Sequence, residues 1–489
     1  MRLAPISLLA ALFATGCFAP LKATEDGSED AGTDETGAED ADADDDGYAD
    51  DDGDADEGAG DGDGDGGGDG GGDGDGDGDG DGDGDGDGDG GMEPGVLPEP
   101  PSQAGVVYVG DYLDSVLRWY DITGDAPQVG GEMNMGNHVH DLAVDSINDI
   151  LAASITFDRK VVLLALDDPD GGVGTPTVLS EVAFDHPPYL VQLDPYHDRL
   201  YVHTVVTGAG EVHVVDIADT REPEVLASFS SPIFGSWSLD AVRRILFLSN
   251  GVDQTLEVYD VGNDTMEPLP GSPIDLRADY SEDNSWGFQA YATTADPWSS
   301  RVFAGRVQGN LSELIAYEYS DFIPDVGETY SDGASAETME SLPDAFDLEI
   351  DLADRHVPLL TAFTPLPDTH TGEVLLVGAA YDVSGITGGI VSLDTDLGPS
   401  GTCESEDGSF CWFRYWTESG AEWSLSTDGA ACMDSTRRIA VGSSISDSGE
   451  GGGTMQFFQY DSDGNLSPWL SDEGRLLNNG PLAVSMACH

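Results

Sequence analysis

One plan recurs along this chain and constrains its fold more than any other feature. A strand ends in Asp, a turn follows, and an Arg or Asp often leads into an apolar strand. The copies read LAVDSINDILAAS from Leu142, LVQLDPYHDRLYVHT from Leu190, WSLDAVRRILFLS from Trp237, TTADPWSSRVFAG from Thr293, LEIDLADRHVPLL from Leu348 and LSTDGAACMDSTRRIAVGS from Leu425. Their marker residues are Asp145, Asp194, Asp240, Asp296, Asp351 and Asp428, at steps of 49, 46, 56, 55 and 77 residues. A third strand usually follows across a polar or Gly-containing hairpin, as in KVVLLALDD from Lys160, EVHVVDIAD from Glu211, TLEVYDVGND from Thr255 and MQFFQYDSDG from Met455.

A repeat of roughly 40–50 residues made of four short strands marks a β-propeller blade. The ends of the region carry further information. VVYVGDYLDSVLRWYDITGD from Val106 matches the second and third strands of a repeat and lacks the first, whereas PLAVSMACH from Pro481 matches a first strand and stops. Joining them closes a ring and removes exposed sheet edges. The expected fold is all-β: a seven-bladed propeller of four-stranded antiparallel blades over residues 104–489, closed between N- and C-terminal strands. Two insertions interrupt the period, one acidic and Ser/Gly-rich at 322–344, the other within 382–422.

The segments VYVGDYLDSVLRWYDIT, LYVHTVVTGAGEVHVVDIADT and LFLSNGVDQTLEVYDVGND resemble YVTN-type and lactonase-like seven-bladed propeller repeats of bacterial exported proteins. That resemblance covers residues ~104–489. It implies the fold and leaves the function open, because this superfamily hosts hydrolases, sensors and binding scaffolds.

The N-terminal part is of another kind. Residues 3–16 are an apolar run too short to span a bilayer and suited to a signal-peptide core, so 1–16 is read as the leader. It ends in Ala14-Thr15-Gly16-Cys17, which resembles a bacterial lipobox with Ala14 where Leu is usual. The resemblance implies acylation at Cys17, export, and lipid anchoring to the cell envelope. Phe18, not Asp, follows the Cys, which in that family favours the outer membrane. Residues 17–103 form an acidic tether. Its 24–91 portion holds 31 acidic residues, no basic ones, and no Val, Ile, Leu, Met, Phe or Trp, so it cannot bury a core and is expected to be disordered. Asp42-x-Asp44-x-Asp46-Gly47 has the spacing of half a calcium loop, but position 12 of such a loop falls on Gly53 and no helices flank it. Diffuse cation binding is the plainer expectation.

Charge narrows the partners. The whole chain has 96 acidic against 17 basic residues, a formal net charge of −79. Residues 92–489 keep 96−31 = 65 acids and 17−2 = 15 bases, a net of −50. Such a field repels phosphate, so nucleic acid is not expected as a partner, and the membrane is reached only through the lipid.

Apart from Cys17, four cysteines in an exported chain read as two disulfides. Of the three pairings, Cys403–Cys411 with Cys432–Cys488 is favoured, because the second bridge would lock the ring seam. Ligands of a propeller usually meet the loops that enter the innermost strands. Five residues before each marker stand His140, Tyr189, Gly235, Tyr291, Phe346 and Trp423, five rings among six positions. Tyr189, Tyr291, Phe346 and Trp423 are therefore candidates to line a funnel, and packing between blades is the plainer role for them. His138-x-His140-Asp141 and Asp185-His186 both precede a first strand. His138, His140 and His186 are candidate ligands for a divalent cation, zinc or calcium among them, and structural histidines are the plainer reading. Phe410, Trp412, Phe413, Tyr415 and Trp416 form the densest aromatic cluster, read as core. No GxSxG, HExxH, P-loop or CxxCH motif is present.

The function expected from the sequence is a lipid-anchored binding or scaffold module on an acidic stalk, monomeric by default, with an extracellular or envelope ligand and no cofactor assigned. A metal-assisted, lactonase-like hydrolase is the alternative, and a purely structural envelope protein the third.

Overall fold

The computed structural model describes residues 97–98, most of 101–333 and, between 358 and 489, the backbone of the strands with side chains chiefly in 431–442, 455–459 and 485–489. The chain divides into two compact units, Pro20–Asp89 and the remainder. The leader, Cys17, the acidic tether, Phe346, Asp351, Cys403, Cys411, Phe410 and Trp412 lie outside the described residues. Among the described residues no helix is long and apolar enough to cross a membrane.

The fold is an all-β propeller of antiparallel sheets, lettered here in chain order. Six sheets are built from consecutive strands: B (139–183), C (188–231), D (236–275), E (288–318), F (358–416) and G (423–480). Sheet A is composite. Its outer three strands are Val106–Asp111, Val116–Asp121 and Gln128–Asn134, and its innermost strand is Ala483–Cys488 from the C-terminus. The innermost strands pack in succession: Ala483–Cys488 on Val139–Asp145, then Pro188–Asp194, Ser236–Asp240, Phe288–Asp296, Pro358–Pro367 and Ala431–Asp434, which returns to Ala483–Cys488.

Burial explains the sequence pattern. Middle strands such as VVYVGD, ILAASI and ILFLSN are covered by neighbouring sheets on both faces and are buried at every residue. They therefore read as continuous apolar runs instead of alternating. The outermost strand QVGGEMN has only exposed and half-buried positions. Among the described residues apolar clusters fill the gaps between sheets; Ile150, Val161 and Leu163 of B meet Val191, Leu200 and Val202 of C in one of them. Cys432 of G and Cys488 of A are bonded, with Cα atoms 5.6 Å apart, so a covalent link ties the two innermost strands at the seam. Gln103 adds to it: its side chain donates to the carbonyls of Met433 and Cys488 and accepts from the Ser435 amide.

The marker turns have one structure. Each Asp closes its innermost strand, and its carboxylate accepts backbone N–H groups of the turn: Asp145 from Ile147 and Asn148, Asp194 from Tyr196 and His197, Asp240 from Arg243, Asp296 from Trp298, Asp434 from Arg437. Four residues later comes a left-handed residue, Asp149, Asp198, Arg244, Ser300 or Arg438, each with φ between 52° and 57°. Short polar side chains bonding to the backbone ahead of them favour such turns.

The antiparallel blades are four strands deep, as expected: A, B, C and F have four strands, in D and G split segments share an edge, and of E three strands are among the described residues. Two marker positions are corrected. The marker of sheet G is Asp434, not Asp428, since it is Asp434 that ends the strand paired with Ile439–Ser446. In sheet F the innermost strand is Pro358–Pro367, which begins after Asp351, so Asp351 does not close it. Sequence similarity at that point followed the Asp and not the pairing partner.

Candidate functional site

The innermost strands begin at one face of the propeller, called upper here, and end at the marker turns on the lower face. Near the upper end several of these strands carry a β-bulge, one extra residue that opposes none on the second strand. The extra residues are His140 in sheet B, Tyr189 in C, Tyr291 in E, Thr361 in F and Val484 in A. Three of these, His140, Tyr189 and Tyr291, are positions that counting back from the marker Asp selected. Thr361 and Val484 were missed, since neither carries a ring and sheet F is out of register with the repeat. A bulge bends the strand and re-aims its side chains, so the shared level marks a ring of specially placed residues at the channel mouth.

Sheets B and C show the chemistry of this level. His140 Nδ1 lies 3.1 Å from the Tyr189 carbonyl, and the two rings meet edge to face with centroids 4.8 Å apart. Because a carbonyl only accepts, Nδ1 carries the hydrogen and Nε2 of the neutral ring keeps its lone pair. Burial pushes His140 down to about 4, against the hydrogen bond to Tyr189, which favours the proton. Asp141 follows directly. Its carboxylate accepts the Val191 amide of sheet C at 2.8 Å and the Ser485 hydroxyl of sheet A at 3.0 Å, strapping three innermost strands together. Burial raises Asp141 to about 6 despite these bonds. Ser154 completes the group: it accepts the Asp141 amide at 2.9 Å and donates to the Tyr189 carbonyl at 3.0 Å.

The strap recurs with a different residue. Ser485 accepts the Leu142 amide and Ser236 accepts the Thr293 amide, each at the place corresponding to Asp141 and its bond to Val191. An innermost strand has no further strand on its channel side, so its edge N–H groups need partners, and a side chain from the preceding sheet supplies them.

Further histidines gather around sheet C. His213 lies between Thr204 Oγ1 at 2.9 Å and Ser228 Oγ at 2.7 Å, beside the Phe184 ring, and burial lowers its pKa. His203 is buried near Trp237, lowered to about 3 by desolvation first and then by the charges of His213 and His140. A Cβ on Gly210 would come within 2.5 Å of His203 Nε2, so only glycine fits there.

The three candidate metal ligands sit apart in role. His138 stands against the Phe157 ring, His140 is bonded to Tyr189, and His186 lies on the loop before sheet C, near enough to His213 to affect its charge. Among the described residues no group of three or more His, Cys, Asp and Glu side chains is placed to hold a metal ion. Of the funnel candidates, Tyr189 is half-buried beside His140; the backbone places Tyr291 at its bulge and Trp423 on the short strand Trp423–Ser424, which pairs with the same edge of Ile439–Ser446 as Ala431–Asp434 does, at its upper end. Phe413, Tyr415 and Trp416 lie on the outermost strand of sheet F.

No known family profile matches the chain, and no curated protein matches it. Solved structures do. A periplasmic gluconolactonase of Pseudomonas aeruginosa superposes with a TM-score of 0.51 at 11% identity, over 78% of this chain and 98% of that one. A putative 6-phosphogluconolactonase from Bacteroides uniformis gives 0.50 at 9% identity, covering 78% and 99%. A protein from Lactobacillus plantarum gives 0.50 at 14% identity, again covering 78% and 99%. At such identities the likeness shows the fold alone. The chain is a β-propeller similar in architecture to these three structures.

Proposed function

We propose that the protein is an exported lipoprotein, acylated at Cys17 and anchored to the bacterial envelope, that holds a seven-bladed binding propeller on its acidic tether. Seven as the ring order draws support from the seven sheets and from the succession of innermost strands that returns to its start. The ligand is extracellular or envelope-borne, and it meets the upper mouth. The observation that carries this reading is the bulge level. Five innermost strands offer a specially placed residue there, and these residues differ from sheet to sheet. The lower turns repeat one device. A repeating fold that varies at one mouth is built to present a surface.

A panel of glycans, peptides and heterocycles, read by thermal shift on the full chain, tests the reading. A ligand whose shift disappears in Tyr189→Ala supports it. Hits that ignore Tyr189→Ala would move the site elsewhere, and silence across the panel would leave a structural envelope protein. Mass spectrometry of the mature N-terminus tests the anchor: a lipid-modified Cys17 is expected, and an unmodified N-terminus elsewhere would overturn it.

A second reading, a hydrolase of a lactone or similar ester, draws on the fold likeness to gluconolactonase structures and on Asp141, a carboxyl raised toward neutrality beside a neutral imidazole. Such a carboxyl suits general-base activation of water. In the metal-assisted form of this reading, a divalent cation at His138, His140 and His186 would activate the water instead. Metal content of the dialysed full chain, with and without His138→Ala, decides the cation. Turnover of a lactone panel lost in Asp141→Ser would put hydrolysis first.

A further inference from the structure

We propose that the channel edge between sheets B and C binds a small molecule through a primary ammonium group, which the Asp141 carboxylate and the His140 Nε2 lone pair receive together. The proposal rests on the reading of the upper mouth as the ligand face. The bulge makes the pair: His140 and Asp141 are consecutive, yet both reach the same neighbouring strand, His140 to the Tyr189 carbonyl and Asp141 to the Val191 amide. Each thus has an atom directed to sheet C, while the other Asp141 oxygen is held by Ser485 of sheet A.

The second support is a charge that the fold does not need. Ser236 and Ser485 make the same strap to the following strand without one. A serine at position 141 would therefore suffice for the architecture. The carboxylate instead has four lone-pair sites; the Val191 amide and the Ser485 hydroxyl occupy two, and the Leu142 amide also favours its charge. Asp141 makes no ion pair with an Arg or Lys among the described residues. A half-buried carboxylate without a cation is costly, and a ligand cation relieves that cost.

The third support is the acceptor beside it. Nε2 can take an N–H but offers nothing to a quaternary ammonium, a carboxylate or a phosphate. The field of a head with net charge −50 draws cations in and keeps anions out. The Tyr189 ring, edge to face with His140, gives the ligand's carbon chain a wall.

Isothermal titration of the full chain with putrescine, at about 0.15 M salt to weaken diffuse binding by the tether, tests the proposal. Tetramethylammonium is the control, and Asp141→Ser the variant, because serine keeps the strap. Saturable binding of putrescine near one equivalent is expected, weaker by about tenfold or more in Asp141→Ser and several-fold weaker in His140→Ala, with tetramethylammonium at least about tenfold weaker than putrescine. Equal binding by wild type and Asp141→Ser would assign the amine to the tether and overturn the proposal, as would no saturable heat. If a neutral ligand from the panel still depends on Tyr189 but not on Asp141, the ammonium site falls and the binding mouth stands.

Discussion

The two ends of each innermost strand differ in kind. At the lower end five strands stop in the same way, with a buried Asp holding the amides of its own turn and a left-handed residue four positions on. At the upper end the strands share a bulge but not a residue: His140, Tyr189, Tyr291, Thr361 and Val484. The lower end solves a folding problem that recurs once per sheet, so one answer recurs. The upper end shares the bulge and a strap to the next strand, made by Asp141, Ser236 or Ser485, but not the residue at the bulge. Stability should therefore follow the lower end and recognition the upper.

The largest effect is expected where a lower turn carries a buried ion pair. Arg243 and Asp240 are both fully buried at 2.9 Å, and Tyr319 donates to the same carboxylate. Asp240→Ala should cost about 3–5 kcal/mol in denaturant unfolding, because it strands a buried guanidinium. Asp145→Ala loses only turn bonds and should cost about 1–2 kcal/mol. Equal costs would show that the turn, not the ion pair, sets the scale. Removing the seam bridge with Cys432→Ser and Cys488→Ser should cost about 2–4 kcal/mol, given its separation of 56 residues. An unchanged midpoint would mean that the Gln103 clasp holds the seam alone.

Acid should act on the histidines near the upper end. Burial lowers His140 to about 4, His203 to about 3, and His213 in the same direction. Between the unfolded histidine value of about 6.5 and these folded values, the unfolded chain binds more protons. Their contribution is thus complete above about 6.5 and is lost as pH falls. Asp141, raised to about 6, works the other way, favouring the folded state more as pH falls toward 4. His489 is lowered as well, and Asp198 and Asp434 are raised. Four groups thus oppose three, and the large shifts of His140 and His203 predict a melting temperature that drops between pH 7 and 5, less steeply in His203→Gln. A flat profile would contradict it. The smallest stability effect is expected at Tyr189→Ala, under about 1 kcal/mol for a half-exposed ring. A large loss there would break the division between the two ends.

Much of this was legible in residues. The repeat gave the all-β propeller, and the marker aspartates gave the lower turns except where Asp351 and Asp428 led away from the pairing. Counting five residues back from each marker found His140, Tyr189 and Tyr291. It did not find Asp141's role, because the bond from Val191 joins residues 50 apart in sequence. It did not find Thr361 or Val484, because a bulge is a mismatch between two strands and leaves no mark in either one. His138 and His140 stand two residues apart, and the bulge at His140 breaks the alternation that would put such residues on one strand face.

The sequence by itself determined the strand content, the turn chemistry, the seam cysteines and the acidic field, since each depends on residue type and short spacing. Only the tertiary structure decided that His140 keeps one nitrogen free, that Asp141 reaches two neighbouring sheets, and that a serine does the same work elsewhere. Those facts depend on which strand edges meet around the channel, and edge pairing is set by the closed ring as a whole.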